Sequence, residues 1–529
     1  MLDLVIRGGT VYDGDSDPLQ ADVGVAGDRV VRVGRVDADA GTEIDATGKA
    51  VCPGFINVLS HSYFTVLHDP RSLSELAQGV TTQIFGEGSA MGPLTPAMRR
   101  QLEDANSELD IHVEWSRLSE YLRHLERGGC SQNFASFVSH GTVRPFVMGY
   151  DDRPATPTEL DEMCNLVAEE TADGALGLAS ALIYPPESYG STEELIALCR
   201  AVATYDGKYI SHIRNEGAQL QGAIAELVRI CREGGLPAEI YHLKASGRAN
   251  WHRMDGALEQ VEAARREGLP VTADVYPYTA SSTGLTSIVP DRFHEGGPEA
   301  LYDRLADPRT REEIRRALLD EDGWGDTEHS DDILVLGLRR EEHRRHQGST
   351  LTVVADDRGV EPVDAALDLM RDDRSRVSVA FFSMSEDNLR EQMRRPWVGF
   401  GSDGASMAPE GAFVRTPVHP RAYGTFARVL GRYVREQRVL SLREAVRRMT
   451  VLPATKLGLS GRGRLAEGYA ADVVVFDPDT VADRATFEHP HQLAVGVSDV
   501  IVNGQVAVRN SRSTGRMAGR ALYGAGRRR

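Results

Sequence analysis

Tyr209-Ile210-Ser211-His212-Ile213, an amphipathic stretch over 217–233, and Glu239-Ile240-Tyr241-His242-Leu243 follow one another along the chain. Each flanking run is short and apolar on both faces, as in a strand covered on both sides, and the stretch between them repeats its apolar residues at helical spacing. A strand, a crossover helix and a second strand of the same kind predict a parallel pair. Working outward, the same texture occurs at 55–59, 81–85, 134–139, 175–180, 271–276 and 397–401, with a further helix over 191–205. Eight such strands over about 400 residues fit an α/β fold, a (β/α)8 TIM barrel with insertions. The rival, a doubly wound open sheet, would place G-x-G-x-x-G after an early strand, and none is there.

The two ends read differently. Residues 1–52 alternate apolar and polar residues in short pieces between Gly- and Asp-rich turns, and 456–515 return to that texture, with Asn503-Gly504 as a hairpin turn. The pattern predicts one small β-sandwich domain built from both ends around a barrel at 53–455; two unrelated terminal hairpins are the alternative. Between 284 and 375 a charged stretch with helices at 308–321 and 339–345 is too long for a plain connection and is read as an inserted helical lid. Residues 516–529, rich in Gly and Arg, are expected to form a flexible basic tail.

Composition narrows the function classes. The formal net charge of −18 argues against binding nucleic acid or an anionic membrane. Five cysteines with no C-x-x-C pair argue against a disulfide framework, and the first residues show no basic region followed by an apolar core. No apolar run approaches the ~20 residues of a membrane span. A soluble, cytoplasmic protein is expected.

In such a barrel, reactive groups sit at the C-terminal ends of strands. His61, His212 and His242 fall at three of those ends, and Asp403 follows the last strand in Gly401-Ser402-Asp403-Gly404. One such histidine is unremarkable. Imidazoles and a carboxylate aimed from separate strands at one spot suit zinc, and three protein ligands with an open position define a catalytic site. No G-x-S-x-G lies between a strand and a helix, so a nucleophile elbow is excluded, and the Gly-rich 79–92 lacks the Lys-Ser/Thr of a phosphate loop.

Pro53-Gly54-Phe55-Ile56-Asn57-Val58-Leu59-Ser60-His61 resembles the amidohydrolase first-strand motif P-G-F-I-D-x-H-x-H. With the sequences around His212, His242, Asp274-Val275-Tyr276-Pro277-Tyr278, Asp403 and His419-Pro420-Arg421-Ala422-Tyr423-Gly424, the chain resembles the N-acyl-D-amino-acid deacylases (D-aminoacylases) from residue 1 to about 520. The resemblance implies metal-dependent hydrolysis of a carbon–nitrogen amide bond, releasing a carboxylic acid and a free amino acid. It departs from the pattern at three places. Leu59 replaces the first histidine of the pair, Asn57 the preceding aspartate, and Glu87 lies at or beside the metal-binding cysteine of G-N-C-G.

On that basis one Zn2+ is expected on Glu87, His212 and His242, other divalent metals remaining open, with His61 a ligand, a substrate contact or a structural residue. Zinc would polarise the amide carbonyl and acidify water, and Asp403 would move the proton to the departing amine. The resemblance places Lys244, Tyr276, Ser282 and Arg421 on the substrate, an arginine fork suiting its carboxylate. Arg214 and Glu216 are expected to pair beside His212 and orient the site. The partner is then a small N-acylated amino acid. Two alternatives stay open: a hydrolase or cyclase acting on a cyclic amide, imide or lactam, and a non-catalytic ligand-binding barrel.

Overall fold

A computed structural model describes residues 1–320 and 329–528. The eight expected strands are present: β1 (Phe55–Asn57), β2 (Val80–Phe85), β3 (Asn133–Ser136, continued as Val138–Ser139), β4 (Gly177–Ala181), β5 (Lys208–His212), β6 (Ala238–Ile240), β7 (Val271–Val275) and β8 (Val398–Phe400). Each pairs in parallel with the next, from Ile56↔Thr82 between β1 and β2 to Ala273↔Val398 between β7 and β8. A parallel bridge, Ser60↔Gly404, closes β8 onto β1. The sheet is therefore a closed barrel, which leaves no exposed edge. Its interior is filled by side chains such as Ile56, Leu59, Ile84, Phe137, Ile210 and Tyr241, each almost wholly buried, at about 1.5–3 kcal/mol for a large apolar group.

The crossover helices form where the spacing places them. The helix Thr192–Ala203 starts at Ser191, whose hydroxyl accepts from the Glu194 N–H at 3.1 Å, a cap worth about 1 kcal/mol. The helix Leu220–Gly234 buries Leu220, Ile224, Leu227 and Cys231 on one face and ends at Gly235, left-handed at φ +72°. Among the described residues no helix is long and apolar enough to cross a membrane, and all five cysteines are free.

Strands from both chain ends meet in one nine-stranded network, where Ala50–Pro53 pairs antiparallel with Val473–Phe476. Leu4, Ile6, Val23, Val473, Val475 and Ile501 form its core. Between β7 and β8 the inserted segment carries helices Pro298–Ala306, Pro308–Asp320, Leu351–Arg358 and Pro362–Asp373 around a separate apolar cluster. It also holds a three-stranded antiparallel sheet, Ser281–Gly284, Ser378–Phe381 and Ile333–Gly337, which the charged composition concealed. The last residue of the expected helix 308–321 and the terminal residue 529 lie outside the described residues.

The expectation of a flexible tail is corrected. Phe134 bridges Ala521, Gly519 N–H donates to Cys130 O at 2.8 Å, and Leu522 N–H donates to Phe134 O at 2.8 Å. The glycines that suggested mobility permit close approach instead. A Cβ on Gly519 would stand 1.8 Å from Gln132 O.

Candidate active site

The side chains of interest gather at the C-terminal end of the barrel, and local backbone geometry puts them there. Gly86 ends β2 at φ +132°, where an added Cβ would meet Phe137 Cβ at 2.8 Å, so only glycine lets the chain turn Glu87 inward. His242 and Asp403 both take left-handed backbones, φ +34° and +49°. Such strain costs about 1–3 kcal/mol each and persists only where the surroundings enforce it. Here the His242 N–H donates to Asp274 Oδ1 at 3.1 Å, and the Asp403 N–H donates to Leu59 O at 2.9 Å across the closing seam.

Glu87 is the hub. Its Oε1 lies 3.0 Å from His212 Nδ1 and 2.9 Å from His242 Nε2, while Oε2 lies 3.0 Å from His61 Nε2. His61 Nε2 is also 3.0 Å from Asp403 Oδ1. Two groups of possible ligands thus share one carboxylate: Glu87, His212 and His242, all buried, and His61, Glu87 and Asp403, with His61 half-buried. The two imidazole rings of the first group stand edge-on at 4.4 Å.

Behind them, Glu216 faces both rings, 3.2 Å from His242 Nδ1 and 3.5 Å from His212 Nε2. It is the carboxylate that fixes which nitrogen of each ring points inward. Lys244 Nζ sits 2.6 Å from Glu216 Oε1 and 2.7 Å from His242 Nδ1.

The charges follow from this arrangement. Burial pushes the Glu87 carboxyl up, but the charge of His242 and hydrogen bonds from three imidazoles hold it well below the usual carboxylate range. Burial disfavours the His61 imidazolium, yet Asp403 and Glu87 raise its pKa to about 9. Asp403, despite burial, is lowered, chiefly by Arg421, whose Nη1 is 2.7 Å from Oδ2. His419 stays neutral: burial and the charge of Arg421 lower it, while its Nε2 donates to Ala280 O at 2.9 Å. Buried imidazoles and carboxylates converging on one point, with no apolar exchange for their desolvation, are the donor set of a hard-to-borderline divalent cation.

The remaining expected residues divide. Arg421 reaches the site, its guanidinium 4.8 Å from the ring centroid of buried Tyr276 and its Nη2 donating to Ser282 O at 3.1 Å. The contact at Ser282 is thus through the carbonyl. Arg214 does not pair with Glu216; this expectation is corrected. Its guanidinium binds Glu226 of the following helix at 2.9 Å and the carbonyls of Ser188 and Gly190, because the loop beyond β5 turns it away from the barrel axis. Sequence reasoning missed Tyr184, whose ring stands edge-on to His212 at 5.2 Å, and the backbone role of Asp274. Tyr184 lies just past β4, and its place at a strand end was the signal for it.

Comparison with known proteins agrees with this geometry. The model of the amidohydrolase family matches residues 42–508. A D-aminoacylase of Alcaligenes xylosoxydans xylosoxydans is 34% identical over 98% of this chain and 97% of its own length. An N-acyl-D-glutamate deacylase of the same organism is 33% identical over 95% and 93%. Among solved structures, an N-acyl-D-glutamate deacylase from Bordetella bronchiseptica, complexed with zinc and a phosphonate mimic of the tetrahedral intermediate, superposes with a TM-score of 0.83 at 31% identity, covering 99% of both chains. A D-aminoacylase studied for its binuclear metal centre, with activation by one metal and attenuation by a second, gives 0.82 at 34% identity over 99% of this chain and 100% of its own.

Proposed function

Because the chain belongs to the amidohydrolase family, we propose that it hydrolyses the amide bond of N-acyl-D-amino acids, using one zinc ion held by Glu87, His212 and His242. The observation that carries this reading is one carboxylate oxygen within 3.0 Å of each of two imidazole nitrogens at the C-terminal end of the barrel. A single ion is favoured because Leu59, buried among Ile56, Val58 and Ile84, offers no donor where the resemblance expects a histidine. When bound, the ion supplies Lewis-acid polarisation of the scissile carbonyl and activation of water near neutral pH.

The chain's own residues do the rest. Asp403, kept ionised by Arg421 and steered by His61, accepts the proton from the attacking water and returns it to the leaving nitrogen. Glu216 orients both histidines, and Lys244 offsets its charge. Tyr276 walls the site beneath Arg421.

The test is amine release from a panel of N-acetyl-D- and N-acetyl-L-amino acids, beside metal analysis of the same preparation. Turnover of D-substrates with about one zinc per chain is expected. Turnover confined to L-substrates or to cyclic amides, or a metal-free preparation with full activity, would overturn it.

A further inference from the structure

A second group of buried charges lies at the ends of β3 and β4. His140 starts the helix His140–Met148 that follows β3, with Arg144 one turn on. Glu187 sits in the loop after β4, and Glu194 in the first turn of the helix Thr192–Ala203. All four are almost wholly buried. His140 Nε2 is 2.8 Å from Glu194 Oε1, and its Nδ1 is 3.5 Å from Glu187 Oε2. Arg144 Nη1 donates to both Glu194 oxygens, at 2.8 and 2.7 Å, and Glu187 Oε2 accepts from the Ala181 N–H at 2.8 Å. Burial disfavours the His140 imidazolium, yet Glu187 and Glu194 raise its pKa above the ordinary value. Apolar side chains of similar volume often stabilise a fold as well as a buried network of this kind; what the charges add is one fixed arrangement.

That arrangement bears on the loop that carries Glu87. The Ala90 N–H donates to Thr142 Oγ1 at 2.8 Å, and Thr142 Oγ1 donates in turn to Ala90 O at 3.3 Å, so the loop is pinned to the first turn of the helix His140–Met148. Closer to Glu87, an added Cβ on Gly141 would stand 2.3 Å from Gly88 O and 2.4 Å from Glu187 Oε1. The Gly88 carbonyl and the Glu187 carboxylate therefore meet at one glycine, which has no side chain to keep them off. Glu187 is tied to the end of β4 through Ala181 and faces the helix through His140. It thus fixes the surface on which the residue after Glu87 rests.

We propose that Glu187 is a positioning residue: with His140 and Gly141 it holds the Glu87 loop so that this carboxylate already meets both imidazoles when the ion arrives. This rests on the ligand set proposed above. Were the loop in place only part of the time, the apparent affinity for zinc would fall by that fraction.

The experiment strips wild type, Glu187→Ala, Glu187→Gln, Glu87→Ala and Ile501→Ala of metal. Zinc affinity is measured against a competing chelator, beside the thermal midpoint of the stripped protein. Glu187→Ala should weaken zinc binding about tenfold or more. Glu187→Gln, which keeps an acceptor for the Ala181 N–H and fills the same space, should recover part of that loss. Ile501→Ala, in the core of the terminal sheet, is the stability control: it should lower the midpoint and leave the affinity alone. An affinity within about twofold of wild type in Glu187→Ala, or a loss no greater than that in Ile501→Ala, overturns the proposal, while weakened binding by Glu87→Ala still upholds the ligand set. Should Glu187→Ala not fold, Glu187→Gln decides: binding weaker by about threefold or more upholds the positioning role, and wild-type affinity overturns it. If Glu87→Ala binds zinc as tightly as wild type, the ligand set falls and the proposal with it.

Discussion

Asn57 donates from Nδ2 to Glu75 Oε1 and to Ser402 Oγ, both at 2.7 Å, and its Oδ1 accepts from the Ser402 N–H at 2.9 Å. The amide that replaces the aspartate of the first-strand motif therefore still pins β1 to the loop carrying Asp403, and it has a fully buried carboxyl beside it. Burial raises Glu75 to about 8, with hydrogen bonds from Asn57, Gln132 and Ser60 opposing only in part. In the unfolded chain a glutamate titrates near ~4.3, so between that value and about 8 the folded state holds a proton that the unfolded state has released. Stability from this group is whole below the unfolded pKa, is lost as pH rises to about 8, and levels off beyond. Glu75→Gln, neutral throughout, should gain thermal midpoint relative to wild type between about pH 5 and about pH 9. A difference that stays flat across that range would show the carboxyl to be ionised in the fold. At this scale the sequence was readable where a histidine or aspartate falls at a strand end, as for His212, His242 and Asp403, which the fold gathers at one end of the barrel. It was opaque where the partner is distant: that Arg214 would choose Glu226 depends on loop paths no local pattern encodes.

Strands and helices were legible because burial on both faces and helical spacing leave strong marks in composition. Their ends were not. The run 239–243 leaves the ladder at Ile240, where the backbone turns left-handed at His242 and aims its side chain at Glu87. The tail misled for the opposite reason. Gly519 and Gly526 look like linker residues, yet an added Cβ on either would lie within 2 Å of a backbone carbonyl oxygen, of Gln132 and Tyr205. The segment from 516 onward hydrogen-bonds along β3 and the helix end at Ala172, buries Ala518 and Ala521, and pairs Arg520 with Asp28 of the terminal sheet. Truncation after Gly515 should therefore lower the thermal midpoint by several degrees and lose β3 amide protection in hydrogen exchange. A truncated chain with wild-type midpoint and protection would mean the tail lies on the barrel without supporting it.

Over the whole molecule, the ligand candidates come from the end of β5 and the loops after β1, β2, β6 and β8, more than half the circumference of a barrel whose closing seam is the short Ser60↔Gly404 bridge. Any cation they share ties those loops together and removes the cost of holding Glu87, Glu216 and Asp403 buried side by side. Binding to the folded chain alone stabilises by mass action, about 2.7 kcal/mol at a free ion concentration a hundred times Kd. Chelator-stripped protein titrated with zinc should thus show a midpoint that climbs with concentration, and amine release should return in parallel. The imidazoles raised by their carboxylates, His242 to about 10, must shed protons to ligate, so the climb should weaken as pH falls. Glu87→Ala removes the carboxylate common to both ligand groups and should abolish the rise, whereas His61→Ala, affecting only the half-buried group, should keep most of it. If His61→Ala flattens the response as fully as Glu87→Ala does, the ion sits on the Asp403 side and the ligand set proposed above is wrong.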